Sequence, residues 1–132
     1  MSTLRPLYEI PLPSTSIEHT DFCGDILHYH YVRDGEHYRG GIQFKRVPAY
    51  RFRAERCSKV QHFKGAYDTL VEVEDSDWVK EIRADTDKLY RDRWEMHHYK
   101  IYLDSGGLYE VIAESWEVLP EREGTWPMIS PD

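Results

Sequence analysis

Alternation of apolar and polar residues is the clearest pattern in this chain, and it is strongest between residues 97 and 118. A period of two is typical of a β-strand, because successive side chains point to opposite faces. Two such runs flank the turn sequence Asp104-Ser105-Gly106-Gly107. Only an odd number of loop residues keeps both apolar sets on one face. We therefore predict a hairpin with a three-residue loop.

The two faces of this hairpin differ in composition. The apolar face, which a core would cover, consists of Tyr99, Ile101, Leu103, Tyr109, Val111 and Ala113. The polar face consists of His98, Lys100, Tyr102, Glu110 and Glu114. We take His98, Tyr102, Glu110 and Glu114 as candidate ligand-binding residues. The structural alternative is cross-strand pairing of Lys100 with Glu110 and of His98 with Glu114, which is common in sheets.

A second hairpin is predicted around Asp34-Gly35, a dipeptide typical of a two-residue type I′ turn. Pairing through that turn places Tyr31 opposite Tyr38 and leaves one face apolar for most of its length. The opposite face carries three histidines, His28, His30 and His37. Alternate residues of a strand share a face, so these imidazoles could converge on one divalent metal ion. Plain surface histidines are the structural alternative.

A change of period predicts a helix over residues 77–84. Trp78 and Ile82 lie four residues apart on one helical stripe. Asp75 or Ser76 precedes the helix as a suitable N-cap, because its side-chain oxygen can accept from a free backbone N–H.

The other segments are assigned from proline and alternation. Prolines restrict residues 4–13 to an extended edge strand, and the runs at 49–56 and 67–73 alternate as strands do. Residues 14–23 show no period and are assigned to a polar connection.

The predicted fold class is α+β, with an antiparallel, strongly curved or half-barrel sheet of about seven strands. One main helix is inserted before the C-terminal hairpin. We predict a single domain over residues 1–119 and a Pro/Gly-rich tail over residues 120–132.

Composition fits one domain: the chain has 132 residues, of which 40% are hydrophobic and 14% aromatic. The net charge of −7 argues against a nucleic-acid partner. Between Lys45 and Lys64, however, the chain contains seven basic residues and only one acidic residue. Neutralisation by the acidic half of the chain is the simplest explanation, and anion binding through Arg51, Arg53 and Lys45 is the alternative.

Two isolated cysteines indicate neither a disulfide framework nor a zinc knuckle. Neither a signal peptide nor a run of ~18 apolar residues is found, so we expect a soluble, cytoplasmic protein that makes no membrane contact.

The sequence contains no GxSxG, GxGxxG or Walker pattern. We therefore expect a small acidic non-catalytic protein that binds a protein partner or a small ligand on an aromatic-rich sheet face, without a cofactor. The alternative is a metal-binding protein or enzyme that uses the His-x-His face.

Overall fold

The computed structural model describes residues 3–10, 17–22, 25–59, 61, 64–89, 93–103 and 107–124. These residues form nine β-strands, an α-helix and a short 3-10 helix at Glu55–Cys57. The elements are β1 (Thr3–Glu9), β2 (Ile17–Phe22), β3 (Ile26–Arg33), β4 (Glu36–Lys45), β5 (Ala49–Arg53), β6 (Thr69–Glu74), α1 (Asp77–Asp85), β7 (His97–Leu103), β8 (Gly107–Ala113) and β9 (Ser115–Glu123). Among the described residues no helix is both long enough and apolar enough to cross a membrane.

The strands form two antiparallel sheets. One has five strands in the order β1-β6-β7-β8-β5, and the other has four in the order β2-β3-β4-β9. The α+β class, the antiparallel pairing and the helix before the hairpin β7–β8 are confirmed. The strands are divided between two open sheets, and their number is nine rather than about seven.

The core lies between the two sheets. Its five-stranded side includes Tyr99, Ile101 and Val111, and its four-stranded side includes Leu27 and Phe44. The rings of Phe44 and Tyr99 meet with their centroids 5.7 Å apart. The apolar face predicted for the β7–β8 hairpin is therefore the inner face of its sheet.

Both predicted turns are confirmed by the strand register. Leu103 pairs with Gly107, which leaves three residues in the connection between β7 and β8. Arg33 pairs with Glu36 across Asp34-Gly35, and both turn residues have positive φ angles, as a type I′ turn requires.

The face of the five-stranded sheet that points away from the core, called the outer face below, lies beside α1. The helix begins after Ser76, whose hydroxyl oxygen accepts from the N–H of Val79 at 3.2 Å, so the predicted N-cap is confirmed at that residue. Val71 and Ile112 on the outer face are fully buried. The middle of this sheet is therefore covered on both sides.

Two strands lie where the sequence pattern predicted none. Strand β2 occupies residues assigned to a polar connection, because the backbone pairing with β3 does not require apolar side chains at a sheet edge. Strand β9 extends to Glu123, into the predicted tail, and includes Pro120 as an edge strand can. Residues 125–132 of the predicted tail lie outside the described part of the chain.

Candidate functional site

A groove on the outer face collects polar side chains from three strands and from Gln61. Its cavity volume is about 330 Å³. It is lined by Arg51, Phe52, Arg53, Gln61, Lys100, Leu108 and Glu110, and it is called the outer groove below. The pairing of Arg51 with Glu110 and of Lys100 with Glu110 places these three side chains on one face of adjacent strands.

Glu110 is the centre of the hydrogen-bond network beside this groove. Arg51 donates to both of its carboxylate oxygens, at 2.8 and 3.2 Å, in the forked geometry that guanidinium groups favour. His98 Nε2 lies 2.8 Å from Oε1 of the same carboxylate. Burial alone would raise the pKa of Glu110, but the hydrogen bonds and charges of His98 and Arg51 outweigh burial and lower this pKa to about 2. Glu110 is therefore ionised.

His98 connects this carboxylate to the start of α1. An ionised carboxylate only accepts, so the partners assign the proton to Nε2 of His98. On the other side of the ring, Nδ1 is hydrogen-bonded to the hydroxyl oxygen of Ser76, 2.7 Å away. The Ser76 hydroxyl is buried and also caps α1. Its position therefore suits helix attachment better than nucleophilic attack.

Trp78 covers the same network from the helix. Its ring meets that of His98 edge-on, with centroids 5.0 Å apart. The guanidinium of Arg51 lies over the Trp78 ring, 4.1 Å from its centroid, in a cation–π contact. Because Arg51 and His98 each contact both Trp78 and Glu110, the orientations of both side chains are restrained before any ligand binds.

Lys100 is the least compensated cation of the outer groove. Burial lowers its pKa more than nearby Glu110 raises it, and the charge of Arg51 lowers it further. Both oxygens of Glu110 already accept from Arg51, and no ion pair joins Lys100 to any carboxylate among the described residues. Lys100 thus presents a half-buried positive charge to the groove.

The remaining residues predicted for this face, Tyr102 and Glu114, do not line the outer groove. Tyr102 is on the outer face but buried, with its ring 5.5 Å from that of Tyr67. Glu114 is in the bend between β8 and β9, where it pairs with Arg46 at 3.3 Å. The predicted pairing of His98 with Glu114 is wrong, since His98 pairs with Glu110.

Arg51 and Arg53, two of the candidate anion-binding residues, both line the groove. Lys45, predicted to join them in binding an anion, lies on β4 of the other sheet and is 3.8 Å from Glu117.

The histidine face of β3 and β4, defined by His28, His30 and His37, shows a different arrangement. His30 and His37 stack with centroids 5.0 Å apart, and Nε2 of His30 is hydrogen-bonded to Nδ1 of His37 at 3.0 Å. Within the described parts of the chain, no group of three or more His, Cys, Asp or Glu side chains is arranged to hold a metal ion. The structure therefore pairs two of the histidines and does not assemble the predicted trio.

Three residues of the network were absent from the predicted site: Ser76, Trp78 and Lys100. Lys100 could have been included, because it alternates with His98 on the same strand. Ser76 and Trp78 were recognised only as helix residues, and no local pattern shows that the helix lies over His98.

The outer groove can bind an oxyanion, because guanidinium and ammonium groups both donate to such ligands. In the comparisons with known proteins, no family model, no curated protein and no solved structure matches this chain.

Proposed function

We propose that this protein is a non-catalytic binding protein that holds a small oxyanion ligand, bearing a phosphate or a carboxylate, in the outer groove. The observation that carries the proposal is the half-buried ammonium of Lys100, which lines the same groove as Arg51 and Arg53 and forms no ion pair with a carboxylate among the described residues. Three cations and one carboxylate line the groove.

Energetics support an anionic ligand. A charge that leaves water without a partner is destabilising, and burial lowers the pKa of Lys100 for that reason. A bound oxyanion would offset this cost, whereas a cation would add to it. The volume of about 330 Å³ is at the small end of the range for ligand clefts. A compact ligand, not a polymer, fits this space.

Preorganisation also favours binding. Arg51 is held by Glu110 on one side and by Trp78 on the other, so little conformational entropy is lost when its guanidinium contacts a ligand. Glu110 is satisfied by Arg51 and His98 and is therefore less repulsive toward an anion than an unpaired carboxylate would be.

The test is calorimetric titration with inorganic phosphate, pyrophosphate and succinate, each at constant ionic strength. Wild type should bind at least one of them with 1:1 stoichiometry, and its Tm should rise with the concentration of that ligand. Lys100→Met, which retains side-chain volume but removes the charge, should lose most of this affinity. Comparison of the two phosphates with succinate shows whether the groove prefers a phosphate or a carboxylate.

The matched control is Lys88→Met, because Lys88 is exposed and lies outside the groove. It removes the same charge and should leave binding unchanged. Absence of binding by all three anions at millimolar concentration, or equal binding by Lys100→Met and wild type, would refute the proposal.

A further inference from the structure

Strand β5 is an open edge of the five-stranded sheet. It is the last strand in the sheet order and pairs with β8 alone among the described strands. In an antiparallel ladder, alternate residues direct their backbone N–H and C=O groups to opposite sides. Half of the backbone groups of β5 therefore point away from β8, where another strand could pair with them.

The inner side of β5 borders an aromatic cleft of about 270 Å³ between the two sheets. The cleft is lined by Thr20, Phe22, Tyr50, Phe52 and Tyr109. The rings of Phe22 and Tyr50 lie 4.7 Å apart, and those of Phe52 and Tyr109 lie 4.8 Å apart. Tyr50 and Phe52 are each 53% exposed, an unusual exposure for large apolar rings at a sheet edge.

The other side of β5 is cationic. Arg51 and Arg53 alternate with the two aromatic residues and are exposed on the outer face. A strand added to β5 would follow the same period of two. Its side chains would therefore lie alternately beside the aromatic cleft and beside the arginines.

Charge distinguishes the occupants of this edge. Antiparallel pairing of two copies of β5 would bring their arginines together, and like charges on neighbouring strands are destabilising. A strand with carboxylates at those positions would be attracted instead. Apolar side chains at the alternate positions would bury the exposed faces of Tyr50 and Phe52.

We propose that the β5 edge binds an extended segment of another protein in which acidic and apolar residues alternate. The segment extends the five-stranded sheet by one strand, with its apolar side chains in the aromatic cleft and its carboxylates beside Arg51 and Arg53. This surface adjoins the small-ligand site and shares Arg51, Phe52 and Arg53 with it, whereas the aromatic cleft and the backbone edge of β5 belong to the peptide surface alone.

The probe is a fluorescein-labelled peptide of about eight residues that alternates aspartate and leucine, measured by fluorescence anisotropy. A peptide that alternates lysine and leucine is its charge-reversed counterpart. Two further versions of the aspartate peptide carry backbone N-methyl groups on alternate residues. One is methylated on its aspartates and the other on its leucines. N-methylation blocks backbone pairing and retains the side chains, so these peptides test strand addition without altering the protein.

The aspartate peptide should bind, and the lysine peptide should not. At least one N-methylated version should bind about tenfold or more weakly than the parent. Arg53→Glu and Phe52→Ser should each weaken binding to a similar degree. Lys88→Glu and Leu89→Ser are the matched controls, since both positions are exposed and line neither the outer groove nor the aromatic cleft, and both should bind as wild type does.

Several results would overturn this proposal. Equal binding of the lysine peptide would exclude charge recognition, and equal binding of both N-methylated peptides would exclude strand addition. If wild type is a dimer that Arg53→Glu dissociates, the occupant is a second copy of the chain. Failure of the small anions with success of the peptide would refute only the small-ligand proposal, and the reverse result would refute only this one.

Discussion

The two polar faces of this protein have similar sequence patterns and different structures. On the outer face, His98 is bonded on one side to Ser76 before α1 and on the other to Glu110 of β8. On the histidine face, His30 is bonded to His37 on the adjacent strand. Alternation places side chains on one face of a sheet in both cases. A network forms where an additional element, here α1, packs over that face.

Charge also separates the two faces. The outer face has an ionised carboxylate that accepts from both His98 and Arg51. The bond between His30 and His37 joins two ring nitrogens, so one of the two facing nitrogens must lack its proton. The first arrangement joins a carboxylate to a guanidinium and an imidazole, whereas the second joins two imidazole rings. Substitutions on the two faces should therefore differ in cost.

The largest difference is expected for Glu110→Gln. The substitution removes the negative charge to which Arg51 and His98 are hydrogen-bonded. The guanidinium of Arg51 then lacks its counter-ion, and His98 faces a neutral amide. We expect a loss of roughly 2–3 kcal/mol in the free energy of unfolding near neutral pH, because the side chain of Glu110 is only 13% exposed, although Arg51 is half exposed. Urea denaturation measures this loss. Glu36→Gln, at the exposed start of β4, is the control and should change stability by less than about 0.5 kcal/mol.

Acidification should remove most of the difference in the free energy of unfolding between wild type and Glu110→Gln. The folded-state pKa of Glu110 is about 2, below its ordinary value of 4.5, so the unfolded chain takes up the proton first as the pH falls. The stabilisation is therefore complete above about pH 4.5 and is lost toward pH 2. Denaturation curves of both proteins across this interval should converge. A constant gap down to pH 3 would contradict the assignment of the charge to Glu110.

A smaller effect is expected for Ser76→Ala. The substitution removes the cap on Val79 and the hydrogen bond to His98. Loss of an N-cap costs about 1 kcal/mol, and the unpaired His98 nitrogen adds to this. Ser76→Asp retains a capping oxygen and should recover part of the loss. If Ser76→Ala were neutral in thermal and urea denaturation, helix attachment through His98 would be ruled out.

The smallest effect is expected on the histidine face. His37 is exposed, so His37→Gln should cost less than about 1 kcal/mol near neutral pH. A loss as large as that of Glu110→Gln would show that the two faces contribute equally to stability, which would contradict this prediction.

Both hairpins could be predicted because the turn chemistry and the alternation agree at Asp34-Gly35 and around residues 104–107. Strand β2 was missed because its pairing uses backbone groups, and its side chains need not alternate at a sheet edge. The pairing of Glu110 was predicted incompletely. His98 lies directly opposite Ile112, and it reaches Glu110 diagonally, two residues along the strand.

The sequence by itself determined the strands around each turn, their register, the helix with a cap at Asp75 or Ser76, and the faces on which Arg51, His98 and Glu110 lie. These features depend on neighbours in the chain or across one turn. Only the tertiary structure decided that α1 packs beside the outer face, that Glu114 turns away to Arg46, and that β5 is an open edge. Those outcomes depend on contacts between residues far apart in the chain, which local periodicity does not encode.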